Sequence, residues 1–141
     1  MAELVSRLES TYYVDLDAAI EAVRQRTSFN LIHADTGLKV DIFVPERHAF
    51  SQQELARARL DTLDPSPEAR QFFVKSQEDL ILRKLLWFRA GHEVSERQWS
   101  DVLGILKVQG DRLDHAYLDQ WAAQLSLTDL LERAVAAAVE R

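Results

Sequence analysis

The sequence predicts an α+β fold from three observations. Apolar residues recur at helical spacing near the start, alternate with period two after Phe29, and return to helical spacing beyond Ser76. At 141 residues the chain suits one domain, or two small subdomains sharing a core. The expected architecture is a small mixed β-sheet made of two hairpins, with N-terminal helices before it and a four-helix, bundle-like tail after it. Lys75 marks the expected division, giving an α/β subdomain over residues 1–75 and a helical one over 76–141.

Leu4, Val5 and Leu8 predict a first short helix, and Leu16, Ile20 and Val23 a second, with Asp15 or Asp17 as its cap. The runs 29–33 and 38–44 flank Asp35-Thr36-Gly37, which suits a three-residue hairpin loop with Gly37 left-handed. That register pairs Ile32 with Val40 and Leu31 with Asp41. It places Asn30, Ile32, Val40, Ile42 and Val44 on a core face and Phe29, Leu31, His33, Lys39, Asp41 and Phe43 on the other. Pro45 ends the strand, and Ser51 opens a short helix containing Leu55. Weaker strands near 59–63 and 71–74 surround the turn-rich Asp64-Pro65-Ser66-Pro67.

Ser76, followed by Glu78 and Asp79, caps a long helix that ends at Gly91. Ser95-Glu96-Arg97-Gln98 is a capping box, opening a helix with Trp99, Val102, Leu103 and Leu106 on one face. After Gly110, Leu113, Tyr117, Trp121 and Leu125 form another stripe. Leu131, Val135, Ala138 and Val139 face inward in the last helix, which Thr128 can cap.

Composition narrows the function classes. With 47% hydrophobic and 28% charged residues, 4 Gly and 3 Pro, the chain is neither collagen-like nor low in complexity. The absence of Cys excludes thiolate catalysis, Cys-ligated zinc and iron–sulfur clusters, and the expected location is cytoplasmic. No apolar run approaches the ~18 residues of a membrane span, so no membrane association is expected. A net charge of −6 argues against broad nucleic-acid binding, and Arg57, Arg59, Arg70 and Lys75 are interspersed with acids.

Two residues carry the chemical interest. Asp41 sits mid-strand, where Asp is disfavoured, so it either faces solvent or sits where a cation stabilises its ionised form. His33 lies diagonal to it in the expected register. Lys84 falls mid-arc among Leu80, Ile81, Leu85, Trp87 and Phe88, so it either meets an anion or packs its stem while the ammonium reaches water. Asp101, on the helix bearing Trp99, is a more distant candidate.

Four segments together, 28–33, 37–44, 76–85 and 95–103, resemble small bacterial nucleotidyltransferases of the minimal and AbiEii-type toxin groups. The resemblance implies Asp41 as a metal-binding third carboxylate, and Lys84 as a catalytic or cofactor-binding partner of the nucleotide phosphates or the carboxylates. It also implies Mg2+ and a nucleoside triphosphate as cofactors. The family's Gly-Ser turn is missing, since the four glycines are Gly37, Gly91, Gly104 and Gly110. Asp15-Leu16-Asp17 imitates the paired carboxylates but leads straight into a helical pattern. The expectation is a nucleotidyltransferase-like chain lacking the leading strands, incomplete as a stand-alone catalyst. The alternative is a non-catalytic, oligomerising interaction module, joined to a second copy or to a partner completing the sheet.

Overall fold

In the first of two compact units, Met1–Gln52, a helix lies on one face of a three-stranded antiparallel sheet. The computed structural model describes residues 1–62, 64–66 and 68–139. Helix α1 (Ala2–Leu8) leads into a two-residue strand β1 (Tyr12–Tyr13), which the sequence pattern is too short to reveal. Helix α2 (Leu16–Gln25) starts at Asp15, whose Oδ1 accepts the Ala18 N–H at 2.9 Å, so this acid caps the helix. Strands β2 (Ser28–His33) and β3 (Lys39–Phe43) complete the sheet in the order β1-β2-β3.

The first hairpin forms, but one residue out of the expected register. His33 N–H bonds to Leu38 O at 2.9 Å, and Gly37 N–H returns to His33 O at 2.9 Å, closing a four-residue loop rather than a three-residue one. Gly37 is left-handed, at φ 66°, as expected. Leu31 therefore faces Val40 and Asn30 faces Asp41. One extra loop residue inverts β2 relative to β3, because strand faces alternate with period two. The core face holds Phe29, Leu31, Val40 and Ile42, packed on Ala19 and Ala22 of α2. Ile32 turns outward instead. Small residues face the sheet from α2, leaving Leu16, Ile20 and Val23 exposed.

The second unit, Gln53–Arg141, takes in the end of helix α3 (Ala49–Arg57), so the division falls inside that helix rather than at Lys75. His48 Nδ1, and not Ser51, receives the first-turn N–H, that of Ser51 at 3.2 Å. Strands β4 (Arg59–Thr62) and β5 (Gln71–Val74) form a separate antiparallel ribbon. The two hairpins thus belong to two antiparallel sheets, not to one mixed sheet. Leu63 and Pro67, parts of the expected strand and turn, lie outside the described residues.

Four helices follow: α4 (Gln77–Ala90), α5 (Glu96–Gln109), α6 (His115–Gln124) and α7 (Thr128–Val139). Helix α4 packs on α5 and α6, and α7 packs on the same two, closing a ring around Ile81, Leu82, Leu85, Val102, Leu118 and Leu130. Ser76, Ser95 and Asp114 cap α4, α5 and α6 through their side chains. In α7 the inward stripe is Leu130, Leu131 and Ala134, whereas Val135 and Val139 are exposed. Three helices end on left-handed residues that are not glycine: Arg26 after α2, His92 after α4 and Ser126 after α6. After α4, Glu93 N–H bonds to Phe88 O at 2.8 Å and His92 N–H to Arg89 O at 3.1 Å, so the reversal falls one residue past Gly91.

Candidate functional site

Asp41 stands at the middle of β3, on the sheet face opposite α2, with its side chain 49% exposed. Its carboxylate pairs with Lys39, two residues away on the same face, at 3.0 Å. The observed register sends His33 to the other face, where its ring meets Tyr12 edge-on at 5.2 Å. His33 Nδ1 also receives the Thr36 N–H at 3.3 Å, so it braces the hairpin loop rather than pairing with Asp41.

Lys84, on α4, has found its anion within the helical ring. Its Nζ donates to Asp101 Oδ2 at 2.6 Å and to Gln98 Oε1 at 3.3 Å, both on α5, with only 16% of the side chain exposed. The Lys84 hydrogen bond holds the Asp101 carboxyl below its usual range. The sequence named both residues but did not join them. They pair because α4 and α5 pack directly against each other.

A divalent-metal site needs several hard ligands, because magnesium otherwise keeps most of its water. Among the described residues, no group of three or more His, Asp or Glu side chains is placed to hold a metal ion. Asp15, the nearest imitation of a second carboxylate, is bonded to its own helix. Among the described residues, the carboxylates do not gather into a two-magnesium clamp.

An ionic network that no local pattern reveals ties α3 to α4 and α6. Glu54 is buried on α3 and meets Arg83 of α4 and, at 2.9 Å, Lys75. Burial pushes its carboxyl up, yet the two cations outweigh this and leave it below the usual range. One turn on, Arg57 reaches Glu78 at 3.2 Å and Asp79 at 3.5 Å, and its guanidinium lies 3.8 Å above the Tyr117 ring centre. The Tyr117 hydroxyl donates to Asp79 Oδ1 at 2.5 Å, and Ser76 Oγ donates to the other oxygen at 2.8 Å. Burial, then the Asp79 carboxylate, push the Tyr117 hydroxyl well above its usual range. Ser76 and Asp79, three apart at a helix start, make a readable local pair. The partners 21 to 38 residues away leave no local trace. Every acid here has a donor, and although the buried Arg57 Nε lacks a hydrogen-bond partner among the described residues, the network reads as a fastening between elements.

Two surface features remain. A shallow cleft of about 340 Å3 is lined by Phe88, Glu93, Val94, Glu96, Trp99 and Arg133. Arg133 lies over the Trp99 ring at 4.6 Å and pairs with Glu93 at 3.2 Å, so the protein's own cation occupies it. The other feature is the β4–β5 ribbon. It leaves Leu60 55%, Phe72 49% and Phe73 74% exposed.

No protein-family model, curated protein or solved structure matches this chain.

Proposed function

We propose that this chain is a nucleotidyltransferase-like interaction module: an α+β protein that works by joining another polypeptide and is incomplete as a stand-alone catalyst. The observation that carries the reading is the ribbon, which exposes Leu60 and Phe73 on one face and Phe72 on the other. A two-stranded ribbon is marginal by itself, and aromatic side chains on both of its faces gain most when another surface covers them. The nucleotidyltransferase part rests on the resemblance of four segments. Asp41, the carboxylate that the resemblance assigns to metal binding, is half exposed and paired with Lys39, so it adds nothing to that part.

Light scattering from tens of micromolar to millimolar concentration tests the module, with self-association expected and strict monomers throughout counting against it. Titration with ATP or GTP plus magnesium, in wild type and Asp41→Ala, separates the two parts. No binding in either protein is the expected result. Binding that vanishes in Asp41→Ala would make this chain a nucleotide-handling protein in its own right.

A further inference from the structure

Strand β4 pairs only with β5 among the described residues, so its other edge is a row of backbone donors and acceptors with no strand beside it. Its sequence, Arg59-Leu60-Asp61-Thr62, sets opposite charges on either side of one apolar residue. That arrangement is self-complementary. An antiparallel copy aligned with Leu60 opposite Leu60 of the second chain brings each Arg59 against the other chain's Asp61, twice per pair.

We infer that β4 pairs with β4 of a second copy of this chain in that register, making a four-stranded antiparallel sheet in the order β5-β4-β4-β5. The inference rests on the interaction-module reading and names its partner. Leu60 and Phe73 are direct cross-strand neighbours within each ribbon, so the pairing joins two such couples into one apolar band across the new sheet. Both are more than half exposed in the single chain. Asp61 Oδ1 accepts the adjacent Thr62 N–H, at 2.8 Å, and among the described residues the carboxylate has no cationic partner, which leaves it available to a guanidinium. The reverse face carries Arg59 and Asp61 beside Phe72, so the new ion pairs lie at a partly apolar surface. The contact is small, which places the dimer among weak, transient associations.

Sedimentation equilibrium from micromolar to millimolar concentration tests it on the full chain, with circular dichroism confirming the fold of each variant. Arg59→Asp sets acids against acids and Asp61→Arg sets cations against cations. Each is expected to weaken the dimer by about tenfold. The double variant Arg59→Asp with Asp61→Arg restores both pairs in reversed sense and is expected to return to near wild-type affinity. A dimer indifferent to the single changes, or one the double variant fails to restore, overturns this pairing and leaves the module reading standing. A wild type monomeric at every concentration overturns both.

Discussion

At the scale of single residues, the strongest consequences follow from the buried charges of the α3–α4–α6 fastening. Glu54→Gln would leave Arg83 and Lys75 facing a neutral amide. Removing one partner of a buried pair costs about 3 kcal/mol, and urea denaturation should show a loss of that order. Tyr117→Phe keeps the ring under Arg57 but withdraws the hydroxyl from the fully buried Asp79. The expected cost is about 2 kcal/mol, because the deleted donor served a charged acceptor. Lys84 behaves differently, since Asp101 is largely solvated and a half-screened pair contributes less than about 1 kcal/mol. Asp101→Asn should therefore change the denaturation midpoint only slightly.

At the scale of elements, helix starts were the most legible feature, because a cap is a local contact between residues three apart. Asp15, Ser76 and Ser95 cap as the sequence implied, and Asp15→Ala should destabilise α2 by about 1 kcal/mol, measurable as a fall in denaturation midpoint. Strand pairing was legible in kind but not in register. The hairpin loop holds four residues where the turn chemistry of Asp35-Thr36-Gly37 suggested three, and that single residue exchanged the core and open faces. Helix faces failed where bulk misled. The apolar stripe of α2 is Leu16, Ile20 and Val23, yet close approach to the sheet selects Ala19 and Ala22. Of the candidate residues, Asp41 and Lys84 were found by their unusual surroundings in the pattern. Their actual partners, Lys39 and Asp101, needed register and helix packing, which one sequence does not display.

At the scale of the whole molecule, the acid response gathers these pieces. The carboxyls of Glu54 and Glu78 both lie below the ordinary value of 4.5 in the folded protein. For Glu78, burial acts upward, and the Asp114 N–H and Arg57 are among the partners that overcome it. A carboxyl lowered on folding contributes stability above its unfolded value and loses it as pH falls through the folded one. Stability of Gln53–Arg141 should therefore be level near neutrality and drop as pH falls below about 4.5, with Glu54→Gln flattening the drop. Circular dichroism melts across that range would show it, and an unchanged melting point down to the lowest pH would contradict the network. The division of the chain was the least legible feature at this scale. Lys75 marks a real change of periodicity, but long-range ion pairs recruit the end of α3 to the helical side.

The helix ends at Arg26, His92 and Ser126 leave this protein short of its stability ceiling. Each residue holds a positive φ near 58° that a side chain makes costly and a bare backbone does not. Glycine at His92 and Ser126 should raise the melting temperature in small, additive steps, whereas at Arg26 it would also delete the guanidinium's hydrogen bond to Pro45 O at 3.0 Å. His92→Gly is the cleanest of the three, because the bridge from Glu93 to Arg89 and Arg133 would keep the chain reversal in place.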